Sequence, residues 1–187
     1  MQIETIDRRT ISAADARAIA ELLVSIWPKA GRTVESRTEE MLTTWRDYRG
    51  PEDRCPRSFI VREGGRVVAH SEAVPRTLRT TSGELPILAL ARVCTDPAVR
   101  GQNLGQAVVK SAFKLVDDGA YAFACFQTRE IVQPFYEKLG AVRVNNRFFN
   151  SLGADPTVTP FWDSAIMRYP ASGNWPSGDI DTNGPGW

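Results

Sequence analysis

The segment Val93-Cys94-Thr95-Asp96-Pro97-Ala98-Val99-Arg100-Gly101-Gln102-Asn103-Leu104-Gly105-Gln106-Ala107 carries the most specific chemistry in the chain. An apolar run breaks at Pro97, and a loop punctuated by glycine opens an amphipathic stretch. Where a strand, a loop and a helix start converge, unpaired backbone N–H groups and the positive end of the helix dipole point outward, a setting suited to phosphate oxygens. Arg100 adds a charge-assisted contact. No Gly-Lys-Ser or Gly-Lys-Thr follows, and Gly101 with Gly105 does not make GxGxxG, so nucleoside triphosphate chemistry is disfavoured. Taken alone, two glycines near a helix start equally suit a tight turn.

Stepping outward along the chain, the elements that must hold this loop have their own patterns. Ser12 caps a helix whose Ala16, Ile19, Ala20, Leu23 and Ile26 recur at three- and four-residue steps and which ends near Pro28. A second helix is predicted from about Thr38 to Tyr48, with Met41, Leu42 and Trp45 on one face, stopped by Gly50-Pro51. Ser58 to Glu63 and Arg66 to Thr80 read as strands joined at Gly64-Gly65, with a bulge or an edge at Pro75. Pro86 to Thr95 is nearly all apolar, as a central strand buried on both faces should be. Gln102 to Val116 follows as a helix with Leu104, Val108, Ser111, Ala112 and Leu115 inward; Tyr121 to Gln127 as a strand; Arg129 to Leu139 as a helix; Ala141 to Val144 and Ser164 to Tyr169 as strands around a long loop at Leu152 to Pro160. This order predicts a mixed α/β (α+β) domain over residues 1–170, with a central sheet of about six to seven strands and helices on both faces. Residues 171–187 turn polar and rich in Gly and Pro, yet Trp175, Ile180 and Trp187 predict a tail that packs back on the domain.

Composition narrows the function classes. The chain has 187 residues, 23 Lys+Arg against 22 Asp+Glu, and a formal net charge of +1. No basic block stands out, so neither nucleic acid nor anionic lipid is an expected partner. The longest apolar runs fall far short of the roughly 20 residues of a bilayer span, and the first 15 residues lack the apolar core of a secretory signal. A cytoplasmic location is expected. Cys55, Cys94 and Cys125 show no CxxC spacing and read as reduced structural thiols, with Cys55 the most exposed; no metal site is expected.

Arg100-x-x-Asn103-x-Gly105 resembles motif A of the GNAT-type N-acetyltransferases, [QR]-x-x-G-x-[GA], with Asn103 where the family usually has glycine. Asn is the non-glycine residue most tolerant of positive φ, so the departure is mild. About 30 residues on, Pro134-Phe135-Tyr136-Glu137-Lys138-Leu139-Gly140-Ala141 is similar to the family's FYxKxGF segment. The resemblance spans roughly Ile11 to Tyr169. It implies a sheet splayed between its fourth and fifth strands, here Ala91–Thr95 and Ala124–Gln127, with acetyl-CoA in the opening.

On that resemblance, Ala91, Val93, Cys94 and Thr95 offer strand backbone to the thioester and pantetheine. Arg100, Gly101, Gln102, Asn103, Leu104, Gly105 and Gln106 cradle the pyrophosphate, and Gln127 and Phe135 complete the cofactor contacts. The implied reaction is direct attack of a neutral amine on the thioester, with an oxyanion held by a backbone N–H near Ala91. Tyr136 matches the general acid: a phenol with pKa about 10 stays protonated while a thiolate near 8.5 leaves. The family's usual strand carboxylate has no counterpart at Ile87 or Ala91. Glu72 and His70 share a strand face at a spacing of two, and Glu72 is the predicted base. Cys94 lies beside the presumed thioester without a partner to activate it.

The resulting expectation is an acetyl-CoA-dependent N-acetyltransferase acting on a small-molecule amine, with a homodimer left open. Two rivals are a regulatory domain that binds acyl-CoA without chemistry and a protein or peptide N-acetyltransferase. The tail around Trp175 to Asp181 is faintly similar to the C-terminal segments of aminoglycoside 2'-acetyltransferases and rhizobial nodulation acyltransferases, which would give Asp179 and Asp181 a cationic amine to bind.

Overall fold

The structure, a computed structural model, describes residues 2–187. They divide into two compact units, one of residues up to 74 together with 91–114, the other of 75–90 together with 115–187. The strands β3 (Arg66–Thr80) and β4 (Gly83–Thr95) and the helix α3 (Leu104–Asp117) run from one unit into the other.

In the first unit, β1 (Glu4–Asp7) pairs antiparallel with β2 (Arg57–Glu63), which pairs antiparallel with the first part of β3 up to Ala73. The order is β1-β2-β3-β4. Helix α1 (Ala13–Ile26) is capped by the Ser12 side chain, which accepts from the Asp15 N–H, as the sequence predicts. Helix α2 spans Val34–Thr43, earlier than the predicted 38–48, because Thr33 and Ser36 form a reciprocal capping box that sets its start. Trp45 falls beyond that helix and meets Tyr48 edge-on. Ile11, Ala16, Ile19, Leu22, Leu23, Met41, Ile60, Val67 and Cys94 form the core. Alternation along β3 sorts the layers: Glu72 meets Arg8, which also donates to the Met41 carbonyl at the end of α2, whereas Ser71, on the other face, donates to the Val108 carbonyl of α3 at 2.8 Å. Helices therefore cover both faces here, as expected.

In the second unit the order is β3-β4-β5-β8-β6, with β5 at Ala124–Thr128, β6 at Val142–Arg143 and β8 at Ala165–Tyr169. The pairing of β4 with β5 is parallel and covers only Leu88↔Ala124 and Ala89↔Cys125. On its other side β5 pairs with β8 over its whole length. Helix α4 is only Gln133–Glu137, preceded by a 3₁₀ turn at Glu130–Val132, instead of the predicted helix from 129 to 139. Pro134 sits at the start of α4, where its missing N–H is harmless, and would break a longer helix. From Pro75 on, β3 has left β2, so the proline withdraws no ladder donor there.

The tail is part of this unit. β9 (Ile180–Asp181) pairs with Arg79 of β3 and runs parallel to β7 (Phe148–Phe149), and Ile180, Asp181 and Thr182 are buried. A Cβ on Gly186 would lie 2.2 Å from the Pro160 carbonyl oxygen, so the tail crosses the 150–163 loop at a distance only glycine permits. The nine strands among the described residues exceed the six to seven predicted because β1, β7 and β9 are too short, or too ordinary in composition, to stand out.

Candidate active site

Strand β4 changes phase as it passes Ala91. The Leu88 N–H donates to the Phe123 carbonyl on the β5 side, and the Asp96 N–H donates to the Val68 carbonyl on β3. Residues 88 and 96 would present their N–H groups to the same edge of a regular strand, so one residue of phase is gained between them. Arg92, at φ +51°, is that irregularity, a left-handed residue inside a strand. Beyond it, the N–H groups of Val93 and Thr95 share the edge turned away from β3. An edge of open backbone groups is what a pantetheine arm requires.

The loop after β4 is built to expose amides. Asp96 accepts from the Ala98 N–H at 2.9 Å and starts a 3₁₀ turn at Pro97–Val99, whose Val99 is buried and anchors the turn. Gly101 then takes φ +86° and Asn103 φ +60°, and the first α-helical bond runs from Ala107 N–H to the Asn103 carbonyl. Arg100, Gly101, Gln102 and Asn103 are exposed, and a Cβ on Gly101 would meet only open space. Gly101 is thus required by its backbone conformation, not by crowding. Leu104 is buried and fixes the helix start, leaving the first-turn N–H groups of Leu104, Gly105 and Gln106 facing the loop. The residues present fit a diphosphate.

Glu72 takes a place that its sequence does not announce. It is fully buried, one oxygen held by Arg8 and the other by Arg92 Nη1 at 2.6 Å. Arg92 Nη2 continues to Glu40 at 2.7 Å, and Arg32 and Arg37 meet the other Glu40 oxygen. Burial raises the Glu72 carboxyl, but the guanidiniums of Arg92 and Arg8 outweigh it and hold the group below the usual carboxylate range. A carboxylate with both oxygens engaged by cations is a poor proton acceptor, so Glu72 does not suit the role of general base. His70 is also fully buried. The Arg92 carbonyl 2.8 Å from its Nδ1 can only accept, so Nδ1 holds the proton and Nε2 accepts from the Ser58 hydroxyl. Burial pushes this imidazole down to about 4, which keeps it neutral.

In the second unit, Tyr136 is 6% exposed and packs against Phe126 at 4.6 Å and edge-on against Phe135 at 4.9 Å between ring centres. Pro134 and Gly140, the latter at φ +88°, bracket the short α4 that carries it. Gln127 uses its amide oxygen and one amide N–H on other protein segments: Nε2 donates to the Trp187 carbonyl at 2.7 Å, and Oε1 accepts from the N–H groups of Trp162 and Asp163. The Trp187 indole N–H donates to the Cys125 carbonyl at 2.9 Å. Asp181 accepts from the Ser151 N–H and hydroxyl and the Asn183 N–H, and Asp179 pairs with Arg147, so both tail acids are already satisfied.

All three cysteines are buried, Cys55 included, against the expectation that it is exposed. Cys55 follows a 3₁₀ turn and lies under it, near Asp7 and Glu52. Those two carboxylates are held by Arg9. Desolvation pushes the Cys94 thiol up to about 12, so it is no nucleophile. The sequence does not mark Arg92 or Arg76, because nothing in an isolated strand marks an arginine that will adopt positive φ; Trp187 is expected to pack, but its hydrogen-bond partners Gln127 and Cys125 lie 60 and 62 residues away.

No helix among the described residues is long and apolar enough to cross a membrane. A search of curated proteins finds no match. Solved structures share the fold. The GNAT family N-acetyltransferase YhbS from Escherichia coli, solved in complex with CoA, aligns with a TM-score of 0.65 at 15% identity, over 97% of this chain and 89% of that one. Glucosamine-6-phosphate N-acetyltransferase from Arabidopsis thaliana aligns at 0.59 and 17% identity over 83% and 100%. An acyl-CoA N-acyltransferase from Pseudomonas aeruginosa aligns at 0.58 and 14% identity over 89% and 97%. The sequence profile of the acetyltransferase (GNAT) domain matches residues 7–143, a span that contains the phase change in β4, the 100–106 loop and Tyr136. This chain belongs to the GNAT acetyltransferase family.

Proposed function

We propose that the chain is an N-acetyltransferase that moves the acetyl group of acetyl-CoA to a primary amine of a small molecule by direct attack in a ternary complex. The observation that carries this reading is the exposed left-handed turn at Gly101 and Asn103, which opens α3 immediately after the strand whose backbone changes phase at Arg92. The 100–106 amides and Arg100 take the diphosphate. Val93 and Thr95 offer backbone to the pantetheine arm. That a fold neighbour was solved with CoA supports the choice of donor.

The amine attacks the thioester carbonyl as the free base; the C–N bond forms and the C–S bond breaks. The leaving thiolate takes a proton from the Tyr136 hydroxyl, directly or through water, and the proton released by the acylated nitrogen returns through water to the Tyr136 phenolate. Cys94, protonated and buried, is consistent with transfer that forms no acyl-enzyme.

Thiol release from acetyl-CoA is measured across amino acids, polyamines, aminoglycosides, amino sugars and peptides. Turnover on at least one small amine, with acetyl-CoA saturable, is the expected result. CoA binding without release on any acceptor would support a regulatory role instead, and turnover confined to peptides would move the acceptor to protein.

A further inference from the structure

Arg76 is a half-buried cation with no anionic partner among the described residues. It follows Pro75 on β3 and belongs to the second unit. Its Nη2 donates to the Pro185 carbonyl, and its guanidinium carbon lies 5.2 Å from the centre of the Trp187 indole. Nε is buried with no hydrogen-bond partner among the described residues, and no described carboxylate lies within ion-pair distance. Desolvation alone shifts this guanidinium, downward, with no acid to offset it.

The surroundings make the charge conspicuous. Arg168, also partly buried over aromatic rings, uses its donors on the carbonyls of Pro170, Ala171 and Ser172 and is satisfied. Arg76 has one such carbonyl. The acids of the tail are held elsewhere, Asp179 by Arg147 and Asp181 by Ser151 and Asn183. Trp187, on which Arg76 rests, donates to the Cys125 carbonyl, and Cys125 stands in the last pair of the β4–β5 ladder. One indole therefore separates the guanidinium from the edge at which β5 loses its β4 partner. Phe161 meets the same indole edge-on at 5.0 Å and holds it in place.

A partly desolvated guanidinium without a counter-charge is costly, and a carboxylate or phosphate, which can take two parallel N–H bonds, removes that cost. We propose that Arg76 binds an anionic oxygen group, carboxylate or phosphate, carried by the acceptor amine; this rests on the transferase function proposed above. It is the opposite polarity from the cation-binding role that the tail acids suggest in sequence.

Matched acceptors test it. Thiol release is compared for phenylalanine against phenylalaninamide and for O-phosphoethanolamine against ethanolamine. The expected result is a preference of tenfold or more in kcat/KM for the anionic member of at least one pair, which also names the group. In Arg76→Gln that ratio falls to within about twofold, mainly through KM, and Arg76→Lys restores part of it. A wild-type ratio near one, or a ratio that Arg76→Gln does not change, overturns the proposal.

Tryptophan fluorescence of the CoA-saturated protein gives a readout without turnover. Saturable binding of N-acetylphenylalanine or N-acetyl-O-phosphoethanolamine, absent for the corresponding neutral compounds and lost in Arg76→Gln, supports the anion site even if no acceptor releases thiol; the transferase reading alone then fails. Turnover on neutral amines without anion binding overturns the site and leaves the transferase standing. Neither turnover nor binding overturns the site as well.

Discussion

Arg92 donates from Nη1 to the second oxygen of Glu72 at 2.6 Å while its own backbone holds φ +51° in the middle of β4. Glu72 is thereby shared between two guanidiniums, since Arg8 takes its first oxygen. The same Arg92 carbonyl accepts from His70. Side chain and main chain of one residue are thus tied to β3 at two points, which holds a conformation a non-glycine residue otherwise avoids at about 1–2 kcal/mol. The irregularity shifts the phase of the strand and turns Val93 and Thr95 toward the open edge. An ion network in the first unit therefore supports the backbone geometry on which the proposed donor contacts depend.

Glu72→Gln removes the anion between Arg8 and Arg92 and leaves Arg8 a buried charge. The unfolding free energy should fall by about 3–5 kcal/mol, as when one partner of a buried pair is removed. Urea denaturation at pH 7 reads this directly. A loss of stability below about 1 kcal/mol would show that the network is as weak as a surface pair.

His70 should make stability depend on pH. Its folded value, about 4, lies below the unfolded 6.5, so between those limits the unfolded chain binds more protons and stability rises with pH. From pH 6.5 down to 4 the protein should lose roughly 3 kcal/mol through this residue, and nothing further from it above pH 7. Glu72, held low, adds its own loss only as the pH falls through and below the ordinary carboxylate range near 4.5. The melting temperature measured from pH 4.5 to 8 should show this slope, and His70→Asn should flatten it above pH 5.

At Gly101, φ +86° admits glycine and strains any β-branched residue. Gly101→Val should weaken CoA binding by tenfold or more by calorimetry and lower the melting temperature only by the local strain of the left-handed backbone, since a Cβ there meets nothing. An unaltered CoA affinity would remove the loop from the diphosphate site.

Tyr136→Phe keeps the ring contacts with Phe126 and Phe135 and deletes the hydroxyl. If that hydroxyl protonates the leaving thiolate, kcat should drop by 10²–10⁴, as for loss of a general acid, with CoA affinity within about twofold of wild type. An unchanged rate across the pH profile assigns the proton to water.

What the sequence by itself determined is local. The Ser12 cap, the apolar spacing of α1, the Gly64-Gly65 hairpin, β3 in full and the loop from Arg100 to Gln106 rest on short-range sterics and hydrogen bonds, and the two motifs that carry the family lie within single strand–helix junctions. What only the tertiary structure decided is pairing across distance. Glu72 reads as a base until Arg8, 64 residues away, and Arg92, 20 away, are seen to hold it, and that Arg76 pairs with no described carboxylate is visible only in the fold. Local propensity is set by neighbours within a few residues, whereas charge, protonation and access are set by whatever the fold brings within a few ångströms.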